Sequence, residues 1–510
     1  MADDNKNENT PIDIVRSNGI SKPEKYPYTD ADKARLSDYL YFNQLFDGAH
    51  FEAFKQKINS ADYNAAYAKI RYVYVNFAGM ISRLVADMLF GEPVTPQLEN
   101  KDAQAWIEDF WKENDLDILF YESALSNSAA GDALLKLRVG KKRSVDKDNS
   151  VILEQVPESI YFPWIDGFNV SSEPETKELA WLFKIGDDTY LRREIHKYGT
   201  IYNEVYKMKG EKIEGKVPLS ILGIKNLPDA QATQIDRHML IHVPNWKTGK
   251  RHFGYSDYND LDAIFYAINN RISMVDNVLD KHTDPILMVP PGVIDPKTGK
   301  AKKDGRVIEM GEGEDGKPEY IVWDASLENA FKQIDKLVEF MYMVGEVAPD
   351  AFGMGQGQSD SGRALKYKLL RTIAKVNRKK LYYDKAIKES LYTAQLLAKA
   401  WGAKVKGKTF DWEPEIPELI WQDGLPADET ELVENEVKKI DGDLTDQKTS
   451  IMKIHGIDED AAQKMIDNIK KENEAKMPAP LDPNRDPFNK KNPAGGNPIN
   501  NEPPKPPQTK

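Results

Sequence analysis

Three observations predict a chain of α+β class built from several domains. Apolar residues recur every three or four positions before Gly131 and again from Ser256 to Ala400, the spacing of one helix face. Between Gly131 and Val243 the pattern changes to short β-type runs bounded by turn residues. Strands and helices do not alternate there, so nothing suggests a parallel nucleotide-binding sheet. The 510 residues suffice for about two to four domains.

Residues 1–28 are polar and are predicted to be mobile. Helices are predicted over Ala31–Phe46, Phe51–Ile58 and Asp62–Phe90, the last ending at Gly91 and Pro93, a stop signal. Two more follow in Ala103–Asn127. The strands expected next are Ala133–Val139, Val151–Val156, Leu179–Ile185, Leu191–Tyr198, Ile201–Met208 and Met239–Val243. A long helix then opens at Ser256, whose hydroxyl suits a cap, with Asp257 and Asp260 in its first turn, and ends at Asp284-Pro285. Ile286–Trp323 reads as a small β-rich insertion, and Ser326–Val347 as a second long helix with Leu327, Phe331, Ile334, Leu337, Val338 and Met341 on one face. The glycine-rich stretch Ala348–Gly362 is a loop. A third helix runs from Arg363 to Ala400, followed by a proline-broken, strand-like stretch, Lys404–Ile420, and by small helices in Ala427–Lys476. Residues 477–510 hold ten prolines and few apolar partners, the composition of a disordered tail.

Composition narrows the functions available. The net charge of −12 speaks against a surface that grips nucleic acid everywhere, because phosphate binding draws on clustered positive charge. With no cysteine, thiolate metal sites, disulfides and cysteine nucleophiles are excluded. No apolar run approaches the ~20 residues that cross a bilayer, and the N-terminus has no export signal, so no membrane role is expected.

Few residues invite a chemical role. His238 and His242 are four apart, but the apolar residues between and after them favour a strand over a metal-binding helix, and no metal or cofactor is expected. Gly353, Gly355, Gly357 and Gly362 lack the following Lys and Ser or Thr of a phosphate loop, which favours a flexible connector. The one cationic cluster is Arg363–Lys388, with ten Lys or Arg against Asp384. Within it, Arg363, Lys366, Arg371, Lys375 and Arg378 are candidates for phosphate or inter-subunit contacts, with a solvated helix face as the alternative.

Several stretches resemble one family. Phe77–Val94 looks like the N-terminal helix of tailed-bacteriophage portal proteins, the head-to-tail connectors. His242-Val243-Pro244-Asn245, Gly254-Tyr255-Ser256-Asp257, Ala267-Ile268-Asn269 and Asp284-Pro285 resemble the entry into that family's stem. Ser361–Lys366, Gly442–Thr445 and Gly456-Ile457-Asp458 extend the likeness over about Asp30–Lys476, closest to portals of siphophages infecting Gram-positive hosts.

The resemblance implies a wing over residues 29–254, stem helices over 255–284 and 325–347, and a clip over 285–324. It further implies a tunnel loop at 348–362, a long wing helix with a return strand over 363–426 and a crown over 427–476. It also implies a non-enzymatic ring of about twelve copies at one capsid vertex of the virion, assembled in the host cytoplasm. The partners implied are double-stranded DNA, the terminase large subunit that hydrolyses ATP, major capsid and scaffolding proteins, and a head-completion or adaptor protein. In such a conduit Asp276 and Asp280 would line a largely negative bore, while Phe352, Met354, Gln356, Gln358 and Ser359 of the loop would face DNA. The competing classes are a sequence-independent nucleic-acid-binding protein and a hydrolase whose site is not recognisable.

Overall fold

In the computed structural model helix α1 (Asp30–Phe46) starts at Thr29, whose hydroxyl accepts from the Asp32 amide while the Asp32 carboxylate accepts from the Thr29 amide. The structure describes residues 23–55, 72–143, 148–224, 227–283, 286–289, 307–309, 319–321, 327–354, 362–422, 429–457 and 459–476. The chain divides into two compact units, Met1–Pro426 and Ala427–Lys510.

After the short α2 (His50–Ala53), residues 72–76 are neither helix nor strand, and α3 spans only Phe77–Phe90. The sequence predicts one helix over Asp62–Phe90. Tertiary bonds override that periodicity: the amides of Val73 and Val75 donate to Ser273 Oγ and Asn269 Oδ1, each at 2.9 Å. Asn76 then caps the helix, its side chain accepting from the Gly79 amide. Residues 62–71 of the expected helix lie outside the described residues.

Strand β1 (Thr95–Gln97), α4 (Lys101–Glu113) and α5 (Leu116–Ala130) lead into the sheets. The strands are β2 (Asp132–Gly140), β3 (Ser150–Val156), β4 (Thr176–Ile185), β5 (Asp188–Lys197), β6 (Thr200–Lys209), β7 (Lys212–Val217), β8 (Ala230–Ala232) and β9 (Leu240–Pro244). They form two antiparallel sheets, one ordered β3-β2-β9 and one ordered β4-β5-β6-β7 with β8 also on β6. β1, β7 and β8 were not expected, because each is short and weakly patterned. Within the larger sheet Arg193 is buried against Glu178 and Glu204, 2.7 Å from each, and Glu178 is itself fully buried.

Helix α6 (Asp262–Thr283) begins six residues later than Ser256. Ser256 Oγ does accept from the Tyr258 amide, but it donates to the carbonyl of Ala129 at 2.5 Å, which ties it to the end of α5 and holds 257–261 as turns. Beyond α6 come β10 (Ile286–Val289), β11 (Val307–Glu309) and β12 (Glu319–Ile321), with β10 parallel to β11 and antiparallel to β12. Helix α7 (Leu327–Val344) then packs against α6. The long basic helix is interrupted at Leu369, giving α8 (Gly362–Lys368) and α9 (Leu370–Trp401), and β13 (Glu418–Ile420) pairs with β1.

Two cores fix this arrangement. The larger joins Trp106, Phe110 and Phe120 of α4 and α5 to Leu135, Leu153 and Ile241 of the smaller sheet, and to Ile387, Leu391 and Leu397 of α9. The second seats one end of the α6–α7 pair: Leu261, Phe265, Ile268, Met341 and Tyr342 pack with Leu45, Phe54 and Ile81. The entry to α6 is fixed by a backbone crossing at Gly131 (φ +95) and Gly254, where a Cβ on either glycine would lie 2.7 Å from a backbone nitrogen.

The second unit contains α10 (Glu429–Asp441), α11 (Gln447–His455) and α12 (Glu459–Lys476). Glu436 is buried there, accepting from Lys439 Nζ at 2.7 Å and Ser450 Oγ at 3.2 Å.

Candidate functional site

The most chemically loaded region of the first unit is the place where the α6–α7 pair meets α9. Residues 371, 375, 378 and 379 recur at helical spacing on α9, so four cations share one side of it. Lys375 and Lys379 are buried and both pair with the buried carboxylate of Asp257, at 3.2 and 2.8 Å. Ser128 Oγ donates to the same carboxylate at 2.6 Å and Asn245 Nδ2 at 3.1 Å, so Asp257 has four donors. Lys379 also donates to Asn245 Oδ1.

Burial opposes ionisation of Asp257, but the charges of Lys375 and Lys379, with the bonds from Lys379 and Ser128, outweigh it and hold the carboxyl far below the usual range. Burial, reinforced by the neighbouring charges of Lys375 and Arg378, pushes Lys379 down to about 8 even though Asp257 pulls the other way.

The turn that follows α7 lies along this cationic face. Gly345 O accepts from Lys375 Nζ at 2.9 Å, and the Ala348 amide donates to Thr372 Oγ1 at 2.9 Å. Glu346, at φ +55, accepts from Arg371 at 2.8 Å and from Arg378. Asp350 pairs with Lys368 at 3.1 Å. A cleft of about 400 Å³ remains between the turn, the start of α6 and α9, walled by Trp246, Leu261 and Met343 as well as by the charged groups.

The residues singled out in the sequence fall into several settings. Lys375 is buried within the chain, and Arg371 and Arg378 are exposed but paired with Glu346. Lys366 is exposed on α8. The backbone of Arg363 belongs to α8, but its side chain lies outside the described residues. On α6, Asp276 is half-buried and Asp280 exposed. Phe352 packs on Tyr342 with ring centroids 5.8 Å apart, and Tyr342 donates to Met354 Sδ at 3.1 Å. Gln356, Gln358 and Ser359 lie outside the described residues. His242 is a strand residue held by Asp132 at 2.7 Å, and buried His238 lies against the ring of Tyr198. Among the described residues no three His, Asp or Glu converge as a metal site would require.

The sequence profile of the family described as "Phage portal protein, SPP1 Gp6-like" matches residues 26–479. The chain belongs to this portal protein family. As a portal protein it is a structural component of the phage particle, not an enzyme; portals are oligomeric rings of the capsid vertex. In fold it is similar to a chain from the "Neck of empty GTA particle computed with C6 symmetry", at 12% identity and a TM-score of 0.38, over 74% of this chain and 89% of that one. No curated protein is significantly similar to it in sequence. No helix among the described residues of the portal chain is long and apolar enough to cross a membrane.

Two features of the portal chain carry more than the sequence suggested. Asp257 and Lys379 form the buried centre of the junction, yet Asp257 reads from sequence as a helix-dipole residue and Lys379 as one cation among ten. A signal was present: Lys379 falls in register with Val376, Tyr383 and Ile387, on the apolar stripe of α9, where an unpaired ammonium would be costly. The α6–α7 pair also leaves Leu279, Phe331, Phe340 and Met343 substantially exposed, Met343 at 71%.

Proposed function

We propose that the chain forms a ring of about twelve copies through which double-stranded DNA is packaged and later ejected. The ring docks the terminase large subunit during packaging and a head-completion or adaptor protein afterwards, and it contacts the major capsid and scaffolding proteins as the capsid assembles. In this reading the α6–α7 pair, within 255–284 and 325–347, is the stem, the β-rich segment 285–324 the clip, 348–362 the tunnel loop and 427–476 the crown. Residues 29–254 and 363–426 make the wing. Asp276 and Asp280 face the bore, where negative charge keeps DNA from sticking. Phe352, Met354, Gln356, Gln358 and Ser359 reach towards the DNA, and Arg363, Lys366, Arg371, Lys375 and Arg378 serve phosphate or inter-subunit contacts.

The observation that carries the reading is the outer surface of the helix pair. Leu279, Phe331, Phe340 and Met343 sit exposed on helices already packed against each other, an arrangement that favours burial against a neighbouring pair. Electron microscopy of the purified protein, with light scattering for mass, is the test. Annular particles of about ten or more chain masses are expected. A monodisperse monomer, or a ring whose bore is lined mainly by Lys and Arg, would refute the conduit.

A further inference from the structure

We propose that the cleft between the turns that precede α6, the turn after α7 and α9 binds a small tetrahedral oxyanion of the phosphate class. The reasoning starts from charge. Among the described residues that line the cleft, Arg371, Lys375, Arg378 and Lys379 stand against Asp257, Asp260 and Glu346. Two of those carboxylates are each divided between two cations: Asp257 between Lys375 and Lys379, Glu346 between Arg371 and Arg378. Each guanidinium carries five N–H donors, and the recorded bond to Glu346 engages one nitrogen, Nη2, in each. Over the whole lining four cations stand against three carboxylates, the surplus charge lying in the buried floor, while at the opening it is the unused N–H donors of Arg371 and Arg378 that are in excess.

The floor and the walls point the same way. Asp257 is saturated by Lys375, Lys379, Ser128 and Asn245, so it has little left to offer an incoming cation. Burial, and to a smaller extent the like charges of Lys375 and Arg378, lowers the affinity of Lys379 for its proton, and an anion in the cleft beside it favours the charged form. Leu261, fully buried, gives the inner end of the cleft an apolar wall, and Trp246 and Met343 flank its exposed end. A volume of about 400 Å³ holds a phosphate together with several waters of ~30 Å³ each.

Glu346 is the competing internal anion. Its backbone lies in the left-handed region, a conformation costly for a residue other than glycine. A dianion presenting several acceptors satisfies the two guanidinium groups better than one carboxylate can, because arginine pairs with phosphate in bidentate fashion. Binding thus draws Arg371 and Arg378 away from Glu346 and loosens the turn after α7 from α9.

The test is calorimetric titration of the full chain with inorganic phosphate at constant ionic strength, chloride serving as the control salt. Saturable binding of phosphate is expected. Arg371→Ala and Arg378→Ala, both at exposed positions that leave the fold intact, each weaken it about tenfold. Glu346→Gln removes the competitor and tightens it several-fold, a sign that a merely structural role for Glu346 does not give. Competition by a short DNA duplex at matched phosphate concentration identifies the phosphodiester backbone as a source of the anion; absence of competition assigns the site to free phosphate or a small phosphomonoester. No difference between phosphate and chloride, or weaker binding by Glu346→Gln, overturns the proposal. The proposed site rests on the assignment of Arg371, Lys375 and Arg378 to phosphate contacts; anion binding is read by calorimetry and ring formation by light scattering, so either can fail alone.

Discussion

Replacing Asp257 by Asn tests how the junction is held together. The substitution keeps the size and two of the polar contacts of the side chain but removes the charge that Lys375 and Lys379 share at 3.2 and 2.8 Å. Both ammonium groups are buried, so neither gains compensation from water. Breaking a buried ion pair by removing one partner costs about 3–5 kcal/mol, and two cations are orphaned here. The loss has a pH signature. Lys379 in the folded protein titrates at about 8, below the ~10.4 of an unfolded lysine. Between those values the unfolded chain holds a proton that the folded chain has released, so stability rises with pH. Without Asp257 the folded lysine releases its proton at lower pH still, so the penalty at pH 7 should shrink by up to ~1.4 kcal/mol by pH 10. Urea unfolding at several pH values, read by tryptophan fluorescence, measures both quantities. Adding Lys379→Met to Asp257→Asn should recover part of the loss, because it removes one orphaned charge. A variant within about 1 kcal/mol of the parent, or a penalty independent of pH, would refute the account.

Acid should weaken the first unit before its carboxylates titrate. Burial, helped by the charge of Lys177, lowers His238 to about 4, and burial with the neighbouring His242 lowers His252 to about 2, whereas unfolded histidine binds its proton near ~6.5. Stability should therefore fall as pH drops from about 6.5 to 4, by up to ~1.4 kcal/mol per pH unit for each histidine, and His238→Phe should flatten the slope of that curve in an acid unfolding series. Gly254→Ala places a Cβ 2.7 Å from the Asn245 backbone nitrogen, so the chain should express as insoluble or lose more than ~3 kcal/mol in thermal unfolding. Phe331→Asp combined with Phe340→Asp, both exposed on α7, should leave circular dichroism unchanged while light scattering shows mass moving from ring to monomer.

Much of this organisation can be read from the sequence pattern, because α4, α5, α7 and α9 place apolar residues at helical spacing and β2 to β6 are β-type runs bounded by turn signals. The misreadings come from bonds that only the folded chain makes. Val73 is in phase with the helix after it, but its amide is bonded to Ser273, two hundred residues away. Ser256 has the chemistry of a helix cap and is drawn instead to the end of α5. The basic run Arg363–Lys388 reads as an exposed face, yet Lys375 and Lys379 turn inward because a carboxylate waits there, a pairing that no local pattern encodes. The strands β7 and β8 are short additions to a sheet edge, where pairing partners matter more than intrinsic preference.

The three-residue pair of β1 with β13 has a consequence for the order of folding. Thr95–Gln97 finds its partner only when Glu418–Ile420 has been synthesised, about 320 residues later. The entropic cost of so long a closure is modest, since each doubling of length adds only ~0.6 kcal/mol. The delay is the greater hazard: at ~5–20 residues per second the early strand waits for tens of seconds with an open edge. Pro96 stands at the centre of that strand and has no amide to donate, so the waiting edge is a poor template for a foreign strand. With one of its three amides missing, the early strand has less to offer a sibling chain on the same polysome than an unbroken edge of the same length would.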